Sequence, residues 1–317
     1  MDGGMAVADD GVRRATAAKA HALIEALPWL QRLHGSTIVI RAGGSTMTDE
    51  TLKRAFAQDV AFLRCAGLGP VVVHGDESEV KAHLTGLGRD SGLTAEPMDL
   101  VRMVITGRAQ RELVGLLNRH GPFAIGLTGE DAHTITAGAR RATADGEPLG
   151  PGAVHDVGEV NADVVQALLD NGRIPVVSSI ARSTNGDICR VSPDAAAAAL
   201  AAALRAERLV LLSDTEGLPT NRLHGRSVIG LLTTGELEHL LPELGNTWRP
   251  PMEACLRALR SGVGRARVLD GRVPHVLLHE VFAGEALGTT VRPGTTGSDP
   301  RGPGTKQHPG APLSHSM

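Results

Sequence analysis

Apolar residues in this chain follow two rhythms that alternate along most of its length. Short unbroken runs at Thr37–Arg41 (TIVIR), Pro70–His74 (PVVVH), Phe123–Leu127, Ile174–Ser178 (IPVVS), Arg208–Leu212 (RLVLL) and Ala266–Leu269 read as strands buried on both faces. Between them, apolar positions recur every three or four residues. Glu50–Ala66 carries Leu52, Phe56, Val60 and Leu63, and the stretches Ser78–Leu87, Asp99–Asn118, Ala162–Leu169, Pro193–Leu204, Gly235–Leu241 and Met252–Leu259 also read as helices. Ala15–Leu33 is an amphipathic helix with Leu23, Ile24, Leu27, Leu30 and Leu33 on one stripe and a kink expected at Pro28. Ile135 to about Gly158 is Gly- and Thr-rich and reads as hairpins, and Val273–Phe282 is mixed. Residues 1–14 are expected to be unstructured, and so is the tail 292–317, rich in Gly, Pro, Ser and Thr. Apolar strands alternating with helices predict an α/β fold with a mostly parallel sheet covered on both faces. Such sheets bind ligands beyond the carboxyl ends of their strands.

Composition narrows the partners. The 317 residues suit one large α/β domain or two small ones. With Lys plus Arg at 32 and Asp plus Glu at 35, the net charge of −3 excludes a dedicated nucleic-acid surface. Cys65, Cys189 and Cys255 lie far apart, in neither disulfide nor zinc spacing, which suits a reduced cytoplasm. No apolar run of about 20 residues spans a membrane, and the acidic, Gly-rich start does not read as a signal peptide.

Candidate chemistry gathers at the strand ends. Four junctions carry small or polar residues: Arg41-Ala42-Gly43-Gly44, His74-Gly75-Asp76-Glu77, Leu127-Thr128-Gly129-Glu130-Asp131 and Leu212-Ser213-Asp214-Thr215-Glu216-Gly217. Glycines there let backbone N–H groups approach a phosphate, and strand ends also need turns for their own sake. Neither the P-loop pattern nor the G-x-G-x-x-G dinucleotide fingerprint is present. Ser192-Pro193-Asp194 starts a helix with an N-cap, a proline at the first helical position and an acid in the first turn. From spacing alone that acid reads first as structural, favoured by the helix dipole, with a functional role as the alternative. His275 and His279 stand four apart beside Glu280, but no third ligand accompanies them, and no metal site is assigned.

The segments TIVIRAGG, PVVVHG, MDLVRMVITG, QRELVGLLNRHGPFAIGLTGEDAH, NGRIPVVSSIA, DAAAAALAAAL, RLVLLSDTEGL, PMEACLRAL and VLDGRVPH follow, in order, the pattern of N-acetylglutamate kinases of the amino-acid-kinase family. The resemblance runs from about residue 15 to Val291 and implies a three-layer αβα sandwich with two lobes. A substrate lobe would occupy about 34–185 and a nucleotide lobe about 186–291. The implied reaction moves the γ-phosphoryl group of ATP, carried with Mg2+ held mainly by the nucleotide phosphates, to the side-chain carboxylate of N-acetyl-L-glutamate in arginine synthesis. Arg41 and Asp194 take the catalytic positions. Gly43, Gly44, Gly75, Asp76, Glu77 and Arg190 take the substrate positions, and Ser213, Asp214, Thr215, Glu216, Gly217 and Arg249 the nucleotide positions. The implied assembly is a homo-oligomer, a dimer or a hexamer, with co-assembly with an active paralogue as the alternative.

The chain departs from that pattern at the chemistry. Arg41 stands where the family has a lysine, and Pro251 stands where it has a second one. Asp76 and Glu77 replace two glycines, a substrate-binding Arg is missing from Gly92-Leu93-Thr94-Ala95-Glu96, and Arg190 replaces an Asn. Only Lys19, Lys53, Lys81 and Lys306 supply ammonium groups. Phosphoryl transfer relies on positive charge at the moving group, so two expectations stand together. The chain is either a slow or re-specified kinase, or an impaired pseudokinase that binds nucleotide and regulates an active partner.

Overall fold

The computed structural model describes residues 3–75, 77–89, 96–140, 153–220, 227–283 and 287–294. The strands in chain order are β1 (Thr37–Arg41), β2 (Gly69–His74), β3 (Ala124–Thr128), β4 (Ile135–Arg140), β5 (Val154–Val160), β6 (Ile174–Ser178), β7 (Ile180–Ser183), β8 (Ile188–Val191), β9 (Arg208–Ser213), β10 (Leu231–Thr233), β11 (Arg265–Asp270) and β12 (Thr289–Arg292). The helices are α1 (Gly3–Leu33), α2 (Ser45–Thr48), α3 (Glu50–Cys65), α4 (Glu77–Gly86), α5 (Met98–Arg102), α6 (Gln110–Asn118), α7 (Asp163–Asp170), α8 (Pro193–Ala203), α9 (Thr234–Leu240), α10 (Arg249–Arg260) and α11 (Val276–Ala283). Eight strands form one sheet in the order β10-β12-β11-β9-β1-β2-β6-β3, while β4, β5, β8 and β7 close into a small barrel. Neighbours in the large sheet run parallel except β11 against β12.

Continuous apolar runs become central strands because both of their faces need cover. Within β1, Ile38 and Ile40 share one buried cluster with Trp29 and Leu33 of α1, Phe56, Val60 and Leu63 of α3, and Leu113 of α6. Val39, on the opposite face, joins Ala196, Ala197 and Leu200 of α8 and Met252 and Cys255 of α10. The sheet is therefore the middle of three layers. Alanines on α8 keep its buried face flat, which lets that helix lie close against the strand ends.

Two expectations are corrected by packing. The first helix begins at Gly3, not near residue 15, and continues through Pro28. Once Ala26, Trp29 and Leu33 anchor it on the core, adding further turns through a segment free of proline costs little. Its apolar stripe also divides. Leu33 is buried, but Leu23, Ile24 and Leu27 are 62%, 66% and 44% exposed. The helix expected over Asp99–Asn118 is α5 and α6 joined by a π-helical stretch, Met103–Ala109. Val101, Ile105, Ala109, Leu113 and Leu117 are all buried and repeat every four residues. That interval exceeds the 3.6-residue turn, and a wider middle turn keeps all five facing inward. Strands β10 and β12, three and four residues long, are too short to show a period of their own. The tail from 295 to 317 lies outside the described residues.

Asp59 of α3 is 1% exposed and accepts a 2.7 Å hydrogen bond from Nδ1 of His275, whose φ of 60° is left-handed. Burial pushes the Asp59 carboxyl up to about 6, against the pull of His275. Its folded pKa exceeds its unfolded one, so this group favours folding in acid, and that contribution is lost as pH rises toward 6. Asp59→Asn should leave the thermal midpoint unchanged near pH 4 and raise it by several degrees at pH 8, on a scale of about 3 kcal/mol. Equal midpoints of variant and parent at pH 8 would show that His275 compensates the buried charge in full.

Candidate active site

Strand β1 lies between β9 and β2. The helices that follow β1 and β9 pack on opposite faces of the sheet, α3 against Ile38 and Ile40 and α10 on the side of Val39, so a crevice opens above the carboxyl ends of these strands. The cleft there is about 320 Å³ and combines residues from four segments. Arg41 and Gly44 follow β1, Ser213, Asp214 and Thr215 follow β9, Glu77 and Ser78 begin α4, and Thr247, Trp248 and Pro251 surround the start of α10.

Arg41 is held from two sides. Its Nε lies 2.8 Å from Oδ1 of Asp194, and its Nη1 donates to the carbonyl of Leu212 at 2.7 Å. Asp194 reaches it from the first turn of α8, where Ser192 caps the helix by accepting from the N–H of Ala195 and Pro193 occupies the first position. The acid that spacing alone left ambiguous thus has a partner at the cleft. Gly43 is buried in the turn beside it. Gly44 has φ +59°, and a Cβ there would sit 2.6 Å from the Asp214 carboxylate. Oδ1 of Asp214 accepts from the Ser45 N–H at 2.8 Å, which ties the turn after β9 to the turn after β1.

The turn after β2 is arranged differently from what the resemblance implies. The Gly75 N–H, expected to face substrate, donates to Oε2 of Glu79 at 2.8 Å, and the Gly75 carbonyl accepts from the Ser179 hydroxyl at 3.0 Å. Glu79 is 1% exposed and sits 3.2 Å from Nδ1 of His74, itself fully buried. Asp76 and residues 90–95 lie outside the described residues. Glu77 is exposed and lines the cleft, so an acid does face the ligand space. Arg190, 3% exposed on β8, alternates with Cys189 and Val191 of the core and is not among the residues lining the cleft.

In the turn after β9, the hydroxyls of Ser213 and Thr215 lie 2.9 Å apart. Gly217 has φ +134°, and a Cβ there would meet Oγ1 of Thr289 at 2.9 Å. A second cavity of about 360 Å³ adjoins this turn, with Glu216, Asp270, Val228, Val273, Val276 and Leu287 in its walls. Arg249 turns along its own helix to Glu253, with Nε 3.0 Å from Oε1, and does not line the cleft, while Pro251 does. Among the described residues lining the cleft, Arg41 is the one cation, against Glu77 and Asp214. Sequence reasoning missed Ser78, Thr247, Trp248 and Asp270, whose neighbours in the cavities come from distant segments.

The sequence pattern of the amino acid kinase family matches residues 36–270. An acetylglutamate kinase of Streptomyces griseus is 56% identical over 283 residues, covering 87% of this chain and 91% of that protein. Another, of Saccharopolyspora erythraea, is 54% identical over 90% of this chain and 97% of that protein. Among solved structures, the N-acetylglutamate synthase of Neisseria gonorrhoeae superposes with a TM-score of 0.73 at 22% identity, covering 87% of this chain and 64% of that one. Carbamate kinase of Giardia lamblia superposes with a TM-score of 0.64 at 14% identity, covering 82% of this chain and 99% of that one. At these identities the structures speak for the fold, while the sequence relatives carry the assignment: the chain belongs to the amino acid kinase family, in its acetylglutamate kinase branch.

Proposed function

We propose that the chain is an ATP-dependent kinase of acetylglutamate type that transfers the γ-phosphoryl group to the side-chain carboxylate of N-acetyl-L-glutamate, in arginine synthesis in the cytoplasm, with slow turnover. The observation that carries this reading is the Arg41–Asp194 pair at the mouth of the cleft between β1 and β9. In the step, a carboxylate oxygen bonds to the γ-phosphorus while the bond to the β,γ-bridging oxygen breaks, and ADP leaves with that oxygen. The acceptor is already ionised, so no base is needed. Arg41 supplies positive charge to the moving group, and Asp194 acts as its positioning residue. Gly43 and Gly44 let backbone approach the phosphates, and Ser213–Gly217 holds the nucleotide. Among the described residues no three His, Cys, Asp or Glu side chains converge as a metal site. Magnesium neutralises phosphate charge when bound and would arrive on the nucleotide, with Asp214 and Glu77 as the carboxylates the cleft offers it. No helix among the described residues is long and apolar enough to cross a membrane.

Slow turnover follows from charge. Asp194 offsets part of the Arg41 charge, and Pro251 brings an apolar ring where a second cation would stand. Glu77 opposes an anionic acceptor: two like charges ~4 Å apart at an effective dielectric near 20 repel by about 4 kcal/mol. These same features favour a second reading, a nucleotide-binding pseudokinase that regulates an active partner. A coupled ADP-release assay with N-acetylglutamate, beside calorimetry with ATP, separates the two. Nucleotide binding should be measurable and weakened by Gly217→Trp. Glu77→Gly should lower the KM for N-acetylglutamate by tenfold or more, and Arg41→Lys with Pro251→Lys should raise kcat by about a hundredfold. ATP binding with no turnover in parent or variants selects the pseudokinase, and absence of ATP binding refutes both.

The apolar face of α1 motivates the assembly. Leu23, Ile24 and Leu27 lie exposed on a helix whose other face is anchored on the core, and we assign them to contact with a second copy of the chain. Leu23→Glu with Ile24→Glu should reduce the oligomer mass by light scattering. An unchanged mass would remove α1 from the assembly.

A further inference from the structure

Two helices frame the cleft at Arg41, and their mutual contact is smooth. Helix α10 brings Trp248 and Pro251 to the cleft, and α8 brings Asp194 to Arg41. The two helices pack along one another. The buried residues of α8 are Asp194, five alanines and Leu200, and Ala254 and Ala258 of α10 belong to the same apolar cluster. Packed helices hold their register through ridges of side chains seated in facing grooves. Alanines raise low ridges, so this contact opposes separation more than sliding. The axial position of α10 then calls for a directional bond.

Arg257 supplies that bond. It stands about 9 Å along the helix axis from Pro251 and reaches across to β5. Its Nη1 donates to Oδ1 of Asp156 at 2.9 Å and its Nη2 to Oδ2 at 3.1 Å. The two side chains are 41% and 33% exposed. Exposed ion pairs contribute little to stability, but a two-pronged bond between guanidinium and carboxylate fixes direction as well as distance. Asp156 is itself well placed, since its Oδ1 also accepts from the Val157 N–H at 2.9 Å. The neighbouring His155 carbonyl accepts from the N–H of Ser192, the cap of α8, at 3.0 Å. Asp156 therefore belongs to the same frame as the start of α8, and through Asp194 to the frame of Arg41. The ion pairs of Arg249 with Glu253 and of Arg260 with Glu238 stay within α10 or reach α9, and neither registers α10 against that frame.

We propose that Arg257 is a positioning residue of the cleft: its bond to Asp156 pins the axial register of α10 against the start of α8, and so sets where Trp248 and Pro251 stand across from Arg41. The consequence for turnover rests on the kinase reading, whereas the register itself does not. A misplacement of about 1 Å in a catalytic cleft can cost a factor of about 100 in rate. Arg257→Lys keeps the charge and loses the fork, which separates geometry from net charge.

The test uses the chain's two tryptophans, Trp29 and Trp248. The full chain is labelled with 5-fluorotryptophan, and its two fluorine NMR signals are assigned with Trp248→Phe. Trp248 lines the cleft, while Trp29 is buried on α1 and reports on the fold. Arg257→Gln and Asp156→Asn should each move the Trp248 signal by more than its linewidth and leave the Trp29 signal and the thermal midpoint in place. The two substitutions change the local charge in opposite senses, so a common displacement excludes a direct field effect. The double variant should match the single ones, because one bond cannot be lost twice. Arg257→Lys should recover less than half of the displacement. In the ADP-release assay the kcat of each single variant should fall by about tenfold or more. The proposal is overturned if Trp248 keeps the parent signal in both single variants. It is equally overturned if both tryptophans move together with a lowered midpoint, which makes the pair an ordinary stabilising contact, or if Trp248 moves while kcat holds. A parent that turns over no N-acetylglutamate refutes the kinase reading alone, and the fluorine spectra still decide the register.

Discussion

The ion pair between Arg41 and Asp194 is the contact on which the rest of the cleft depends. It joins the last residue of the central strand to the first turn of α8, and both groups are largely screened from water, with side chains 14% and 11% exposed. At such a site the attraction must offset the desolvation of two charges, and removing one partner leaves the other stranded. A second contact, from Nη1 to the Leu212 carbonyl, adds the end of β9 to the same knot. Three segments that meet only through the strand order β9-β1-β2 thereby present one guanidinium to the cleft. The arrangement also limits that cation, since charge spent on Asp194 is not available in full to a phosphoryl group.

Around this knot the turns lock one another by close approach. Asp214 occupies the space beside Gly44 and accepts from Ser45, and the Ser179 hydroxyl occupies the space beside Gly75. A side chain at either glycine would have to displace a hydrogen-bonded group, and both have φ values that L-residues rarely adopt. The His74–Glu79 pair beneath the second turn is completely enclosed, so its bonds to the Gly75 backbone serve rigidity. An inward-facing N–H at Gly75 is the cost of that arrangement to ligand binding.

The charge balance distinguishes this site from what its family relationship leads one to expect. A scaffold 56% identical over 283 residues to an acetylglutamate kinase carries, among the described residues, one tethered cation and two carboxylates in the cleft above β1 and β9. Arg249 and Arg190, two cations that the resemblance places at the site, are not among the residues lining the cleft: the first pairs along α10 with Glu253, and the second is 3% exposed on β8.

Much of the fold was legible in the chain itself. Runs such as PVVVH and RLVLL specify central parallel strands because only a strand covered on both faces tolerates unbroken apolar residues. Ser192-Pro193-Asp194 specifies a helix start because capping chemistry is local. The glycines at strand ends marked the cleft for the same reason, as backbone conformation depends on the residue that adopts it. Other features required the tertiary structure. Which half of the α1 stripe is buried depends on where the helix lands on the core, and the π turn depends on what both ends of a long helix must touch. The partners of Arg41 and Asp59 lie on distant segments, His275 being 216 residues from Asp59. Glu77 facing the cleft while Arg190 does not is likewise set by strand order and register, which no local pattern encodes. Propensity and capping act between neighbours in sequence, whereas ion pairs, cavities and lone-pair occupancy are properties of neighbours in space.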